Sequence, residues 1–300
     1  MNQKNKIVGY ILALVSATAF GLNPLFVLPI KQSSIPLDIT LFYRFLMGAA
    51  MIGVFLLIKR TGLGIRLKDL PKLIIMGLLY ALSSEFLFWG YDAMSAGIAS
   101  TVLYTYPMMV ALMLHYGYKE KITSATKLSI LIALTGVAAL GWDSSGAKFN
   151  IYGVFIVLMS GFVYALYMLL INKGNIDSSG IKITFYSLFF SSFYFGFKSL
   201  FLHHSFVLPT FDWVAYVAAF SLITTVISVI GIVYAIRLVG STTTAILSAF
   251  EPLVAVCVSV LMFGEQLNWQ LITGIILVLV ALSVHIWGDQ KELRNIPVQS

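Results

Sequence analysis

Residues 251–282 read EPLVAVCVSVLMFGEQLNWQLITGIILVLVAL, which is two apolar runs separated by a short polar segment at 264–268. A helix needs roughly 20 apolar residues to cross the hydrocarbon core of a bilayer. With their flanks the runs extend over 241–263 and 268–287, so each predicts one membrane-spanning helix. The connection between them is short, and the two helices are therefore expected to be antiparallel.

The same pattern continues through the whole chain. Of its 300 residues, 59% are hydrophobic and only 10% are charged, against about 25% charged in a typical soluble domain. Ten apolar runs are long enough to span a membrane, and they are continuous rather than alternating, which excludes a β-barrel. The sequence predicts an all-α integral membrane protein with helices at 7–30, 37–58, 71–91, 95–116, 125–142, 149–172, 182–203, 212–236, 241–263 and 268–287.

The distribution of lysine and arginine predicts how these helices are oriented. With the N-terminus inside, fifteen of the 19 basic residues fall on the inner side and Arg44 lies within a helix. Only Lys31, Lys148 and Lys198 fall on the outer side. Cytoplasmic loops of membrane proteins carry an excess of lysine and arginine, so both termini are predicted to be cytoplasmic in a multi-pass protein of a bacterial inner membrane.

The two halves of the chain resemble each other in register. Each half holds five predicted spans, an odd number, so the second half must enter the membrane in the opposite orientation. Inverted repeats of this kind are typical of secondary transporters. The prediction is two inverted five-helix repeats, at 1–144 and 145–289, followed by a cytoplasmic tail at 290–300. Matched positions 144 or 145 residues apart are Gly9/Gly153, Ser16/Ser160, Pro107/Pro252, Glu120/Glu265 and Trp142/Trp287.

Together these features resemble the drug/metabolite transporter superfamily, EamA type. The resemblance is clearest in residues 251–282, with a mid-helix proline, an apolar run, a Gly-Glu pair and a glycine-containing last span. The first half has a similar segment, YPMMVALMLHYGYKEKIT at 106–123, with Lys119 where the second half has Gly264. Arg44 and Phe45 in the segment LFYRFLMG also resemble the family. The resemblance implies export of small metabolites, such as amino acids, or of toxic organic compounds, by alternating access.

Few ionisable residues lie deep within the predicted spans, where they are costly and usually face a cavity or a partner. Arg44 and Glu85 lie roughly 10 Å and 9 Å below the outer face, at the level of Asn23. These three side chains can line the outer part of a cavity. Alternatively, Arg44 and Glu85 pair with each other and fix the packing. If Glu85 is unpaired, it is a candidate proton carrier. Lys198 is expected to extend towards the outer interface.

The matched prolines predict a second part of the site. Proline has no backbone N–H, so Pro252 leaves the carbonyl of Ser248 without its usual helical partner. Interrupted helices at corresponding positions of two repeats point to a central binding site. Pro107, Pro252, Ser248 and Glu251 are therefore candidate substrate-binding residues, and a structural kink is the alternative for either proline alone. Tyr104 and Tyr106, near mid-membrane, are candidates for stacking on an organic substrate.

Other functions are less well supported by the sequence. It contains no H-E-x-x-H, G-x-S-x-G or G-x-x-x-x-G-K-[ST] motif, so we expect no enzyme, no ATP-driven pump, no cofactor and no metal site. A membrane channel and a non-transporting scaffold are the alternatives. The predicted partners are a small-molecule substrate and the lipid bilayer, and not nucleic acid. Proton coupling and oligomeric state are left open.

Overall fold

The computed structural model describes residues 3–33, 35–119, 122–141, 151–206 and 210–295, and the regular structure in these ranges is helical. A 3₁₀ turn at Leu67–Asp69 precedes the helix Leu70–Ala93, and a π-helical segment at Leu222–Ile227 joins the helices Phe211–Ser221 and Ser228–Val239. The helices are α1 Gln3–Gly21, α2 Asn23–Gln32, α3 Leu37–Ile58, α4 Leu70–Ala93, α5 Ala96–Leu103, α6 Tyr106–Tyr118, α7 Ser124–Gly141, α8 Ile151–Lys173, α9 Gly180–Phe201, α10 Phe211–Ser221, α11 Ser228–Val239, α12 Ser241–Ser248, α13 Phe250–Phe263 and α14 Trp269–Asn295.

Three of the predicted spans are broken helices, and each break lies just before a proline. α1 ends at Gly21, and α2 begins with Pro24 in its first turn. α5 ends at Leu103, and α6 begins just before Pro107. α12 ends at Ser248, and α13 begins just before Pro252. Proline is tolerated in the first helical turn, where its missing N–H has no intrahelical partner, so the chain restarts the helix there.

Seven helical segments in the described part of the chain are long and apolar enough to cross a membrane, and α13 and residues 124–139 are shorter apolar helices. α9 is not among the seven, because it carries Lys182, Lys198 and several serines. Its serines at 187, 191, 192 and 199 are buried against other helices. The structure therefore shows a helical membrane protein.

Helices of the first half pack along helices of the second half. α7 lies along α14, α4 along α8, α3 along α9, and α1 along α11. Small polar side chains join these pairs: Ser160 donates to the carbonyl of Ser83 at 2.7 Å, and Ser16 donates to that of Ser228 at 2.7 Å. In a bilayer, such small residues let helix backbones approach closely and provide hydrogen bonds between them.

Large apolar side chains cover much of the outer surface of the bundle. Lipid solvates such side chains as well as a protein core does, so this surface fits a membrane environment and would be unusual in water. Examples that are more than half exposed are Ile11, Val54, Leu57, Leu131, Leu134, Phe155, Phe197 and Ile276.

α6 and α13 end in the same way. Lys119 follows α6 with φ 58°, and Gly264 follows α13 with φ 68°, both in the left-handed region. The N–H of Lys119 bonds to the carbonyl of Leu114, and that of Gly264 bonds to Ser259, five residues back in each case. Glycine adopts this conformation without steric cost, whereas a lysine requires the surrounding turn to enforce it. Lys119 and Gly264 therefore form equivalent turns.

Candidate functional site

A small cavity lies where the broken helices meet. It is bounded by the break between α1 and α2, by α4, by the end of α5 and by the start of α13. Its volume is about 20 Å³, which is room for about one water molecule and not for an organic metabolite. Its polar and aromatic lining includes Phe20, Asn23, Tyr91, Ser100, Tyr104 and Glu251. Three predicted site residues, Asn23, Tyr104 and Glu251, therefore share one cavity.

Arg44 is buried beside this cavity and holds Asn23. Its Nη2 donates to the side-chain oxygen of Asn23 at 2.9 Å and to the hydroxyls of Thr224 at 3.1 Å and Thr225 at 3.4 Å. The guanidinium lies 4.1 Å from the ring centre of Phe220. Only 3% of Arg44 is exposed, and its Nε has no hydrogen-bond partner among the described residues. The expected juxtaposition of Asn23 and Arg44 is present, and it is stabilised from the second half of the chain.

Glu85 has different partners from those considered from sequence. Its carboxylate forms an ion pair with Lys198 and accepts a hydrogen bond from Tyr194 at 2.7 Å. Lys198 also contacts Asp38 at 2.8 Å. The interpretation of Glu85 as the partner of Arg44 is therefore wrong, whereas the position of Lys198 relative to the outer interface stays a prediction. Because Glu85 is already paired, the condition under which it was a proton-carrier candidate is not met. Glu85 joins α4 to α9 and, through Lys198, to α3.

Pro252 leaves the carbonyl of Ser248 without a helical donor, and this carbonyl accepts a hydrogen bond from the other half of the chain. The hydroxyl of Tyr104, in the turn between α5 and α6, donates to the carbonyl of Ser248 at 3.2 Å. Tyr106 lies outside the cavity lining, and its ring packs edge-on against Tyr164 at 4.8 Å. The two proline breaks therefore meet directly, through Tyr104 and Ser248.

Glu251 is partly buried, and it differs from the buried charged groups Arg44 and Glu85. It follows the break between α12 and α13, and its carboxylate has no hydrogen bond or ion pair within the part of the chain that the structure describes. Gly21 also lines the cavity, and it packs against Glu251 so closely that an added Cβ would lie 2.7 Å from the carbonyl oxygen of Glu251. Glu251 therefore lines the cavity at a tightly packed helix crossing.

A further carboxylate joins the halves at the other end of α13. Glu265 accepts a hydrogen bond from the hydroxyl of Ser95 and another from the N–H of Gly97 at 3.3 Å, at the start of α5. Its predicted counterpart, Glu120, lies outside the described residues, as does Trp142. His204 lies 4.0 Å from Asp38, and no group of three potential metal ligands occurs in the described ranges.

One polar helix face was not identified from the sequence. Ser221, Thr224, Thr225 and Ser228 are all buried, and they contact α1 and α3. Their positions i, i+3, i+4 and i+7 place them on one side of a helix. The sequence shows this spacing within the eighth apolar run, at 212–236, and the spacing could have predicted a polar helix face. In the structure, that face binds Arg44.

Comparison with known proteins agrees with these features. A region of 126 residues is 27% identical to the uncharacterized transporter YdfC of Bacillus subtilis, covering 42% of this chain and 41% of YdfC. The uncharacterized transporter YcbK of the same organism is 24% identical over 275 residues, covering 87% of this chain and 86% of YcbK. An uncharacterized transporter of Archaeoglobus fulgidus is 30% identical over 125 residues, covering 41% of this chain and 43% of that protein. The matched region thus spans less than half the length of YdfC and of the archaeal protein.

The fold has a counterpart among solved structures. A protein crystal structure covers 97% of this chain with a TM-score of 0.67 at 15% identity, and all of that protein's chain is matched. At this level of identity the likeness concerns the fold alone. The profile of the EamA-like transporter family matches two regions, residues 7–142 and 151–287. The chain belongs to the EamA-like transporter family.

Proposed function

We propose that this protein is a secondary transporter that exports small organic metabolites, such as amino acids, or toxic organic compounds, by alternating access. In this proposal it crosses a bacterial inner membrane ten times, as two inverted five-helix repeats at 1–144 and 145–289. Both termini and the tail at 290–300 are cytoplasmic. The substrate binds between the repeats, beside Asn23, Arg44, Tyr104 and Glu251.

Three observations support the inverted repeat. The family profile matches once in each half, at 7–142 and 151–287. The proline breaks before Pro107 and Pro252 are 145 residues apart, and so are the left-handed turns at Lys119 and Gly264. Five spans in each half reverse the orientation of the second half, which supplies the two exchangeable shapes that alternating access needs.

The contact between Tyr104 and the Ser248 carbonyl carries the proposal of a central site. Irregular backbone at membrane depth is tolerated only where it is buried in protein or lines a cavity. Both breaks lie at the cavity, and the hydrogen bond ties one break to the other. A change in this contact would alter the positions of α5 and α12 together, as a shift between inward-open and outward-open forms requires.

The first prediction concerns the hydroxyl that makes this contact. Tyr104→Phe removes the donor to the Ser248 carbonyl and should lower the rate of transport by about 10-fold, because a buried acceptor is left unpaired. The matched control is Tyr164→Phe, since the hydroxyl of Tyr164 has no hydrogen-bond partner in the described part of the chain. The control should transport at the wild-type rate.

The measurement needs a substrate, which a thermal-shift screen of amino acids, nucleosides and organic cations can supply, because a ligand that binds the native state raises its stability. Compounds that bind are then tested for flux in proteoliposomes. Saturable flux that falls in Tyr104→Phe and not in Tyr164→Phe is expected. Linear, non-saturating flux would favour a channel, and no flux of any bound compound would contradict transport.

A further inference from the structure

Glu251 stands apart because its carboxylate has neither a hydrogen bond nor an ion pair among the described residues. Arg44 is bound by Asn23 and two threonines, and Glu85 by Lys198 and Tyr194. Glu251 has no such partner among the described residues. An ionised carboxylate at membrane depth without a counter-ion is costly, and intramembrane acids are usually paired or face a pathway. The cavity before it holds about one water molecule, too little to solvate a charge.

The helices around Glu251 supply no cation that could balance it. α13 packs against α1, α2 and α5. α5 carries no ionisable residue, and the lysines of α1 lie at the opposite end of that helix, roughly 20 Å away by helical rise. The one lysine of α2, Lys31, is paired with Asp92.

The remaining groups that face this region are phenols and one bound arginine. Tyr91 and Tyr104 line the cavity with Glu251, and Tyr80 of α4 lies within electrostatic range of it. Arg44 lies behind Asn23, and its Nη2 is engaged by side-chain oxygens. The groups that line the cavity with Glu251 are thus hydroxyls, an amide and rings, which can contact an organic cation, and Arg44 forms no ion pair with Glu251.

Resting on the proposed function, we propose that the Glu251 carboxyl binds either a proton or the positively charged nitrogen of an organic substrate, and that the transported compounds are therefore aromatic or aliphatic amines. In the form described here, in which the cavity has room for about one water molecule, the carboxyl holds the proton. When the cavity opens, an ammonium group displaces that proton and pairs with the carboxylate. The rings of Phe20, Tyr91 and Tyr104 then face the organic part of the substrate, where a cation also gains from aromatic faces. One carboxyl cannot hold both ligands, so amine movement in one direction is linked to proton movement in the other.

The test compares phenethylamine with 2-phenylethanol, which has nearly the same shape and no charge. Binding to purified protein is measured by calorimetry between about pH 6 and pH 8, a range in which the amine stays protonated. Phenethylamine should bind at least about 10-fold more tightly than the alcohol, more weakly as the pH falls, and with release of protons into a weakly buffered solution. The alcohol should show neither pH dependence nor proton release.

Glu251→Gln keeps the shape of the side chain and removes its charge. It should weaken phenethylamine binding by about 10-fold or more, abolish proton release and leave 2-phenylethanol binding unchanged. Glu251→Asp should restore proton release. Asp212→Asn, at an exposed carboxylate in the first turn of α10, should behave as wild type.

Equal affinity for amine and alcohol, or unchanged proton release in Glu251→Gln, would overturn this inference. Different results would contradict the proposed function. If a neutral metabolite shows saturable transport that is insensitive to Glu251→Gln, then the chain is a transporter and only the exchange role is wrong. If amine binding depends on Glu251 and no compound is transported in liposomes, the exchange site stands and the proposal of transport is wrong.

Discussion

Arg44 shows how one buried charge is accommodated within a membrane bundle. Its Nη2 reaches three side-chain oxygens, and the rings of Phe45, Phe88 and Phe220 surround the guanidinium at 4.1–5.8 Å. Aromatic faces attract a cation electrostatically, more strongly where water is excluded. Within the part of the chain that the structure describes, Arg44 contacts no carboxylate. The arginine is therefore stabilised by neutral dipoles and rings, and Glu85 forms its ion pair with Lys198 instead.

Replacing Arg44 should test this arrangement. Arg44→Met keeps the length of the side chain and leaves the oxygen of Asn23 and two threonine hydroxyls without their donor, so it should destabilise the protein by about 1–3 kcal/mol. The control is Arg237→Met, at an exposed arginine whose contact is the ring of Tyr234. That change should cost at most about 1 kcal/mol. Thermal unfolding in detergent measures both, and equal losses would show that Arg44 has no special structural role.

At the residue scale, the sequence predicted which groups are buried better than it predicted their partners. Depth along a helix follows from counting residues, so Asn23 and Arg44 were expected at one level, and they are hydrogen-bonded. The partners of Glu85 and the two threonines that bind Arg44 lie more than 100 residues away in the chain, on α9 and beside α10. Residue spacing within one helix carries no information on which distant helix packs against it, so Lys198 and Thr224 could not be assigned as partners.

At the scale of the helices, the close crossing of α1 and α13 forms one wall of the cavity. Gly21, the last residue of α1, lies against the backbone of Glu251 and the side chain of Val254. No side chain larger than a hydrogen atom fits there, since an added Cβ would lie 2.7 Å from both. The position of Glu251 relative to Asn23 therefore depends on a glycine at this crossing.

Gly21→Ala should accordingly destabilise the protein by roughly 1–3 kcal/mol, because the clash is with backbone and a β-carbon that cannot move aside cheaply. Gly117→Ala is the matched control. Gly117 lies within α6, and an added Cβ would meet nothing within 4 Å. Alanine is the better helix former, so this change should be neutral or stabilising by up to about 1 kcal/mol. Thermal unfolding separates the two, and a harmless Gly21→Ala would contradict the close crossing.

The helix breaks were partly predictable, because the effect of a proline on a helix is local. A proline removes a backbone donor wherever it stands, so the breaks near Pro107 and Pro252 follow from the sequence alone. The break at Leu22 was not predicted, although Pro24 was visible within the first apolar run. The π-helical segment at 222–227 has no such signal. It lies where Thr224 and Thr225 meet Arg44, a contact that only the packed bundle creates.

At the scale of the whole molecule, several side-chain contacts join the two halves of the chain. Glu265 holds the start of α5, Tyr104 holds the end of α12, and Lys198 holds α3 and α4. These contacts lie at different levels along the bundle. In the proposed alternating-access cycle, opening towards one side would break the contacts at that side while those nearer the centre act as a pivot. Ten apolar runs in two matched halves were visible in the sequence, but the contacts that join the halves required the structure.

The proposed inverted repeat predicts opposite exposure for the ends of α6 and α13. Cys257 is the one cysteine of the chain and is exposed, so Cys257→Ala gives a cysteine-free background. In that background, single cysteines are introduced by Tyr118→Cys or by Gln266→Cys, at exposed positions beside the two left-handed turns. A membrane-impermeant maleimide should label intact cells only at position 266, and position 118 only after permeabilisation. Five spans lie between equivalent points of the two repeats, and an odd number places those points on opposite faces. Labelling of both positions from the same side would exclude the inverted repeat, whatever the outcome of the transport measurements.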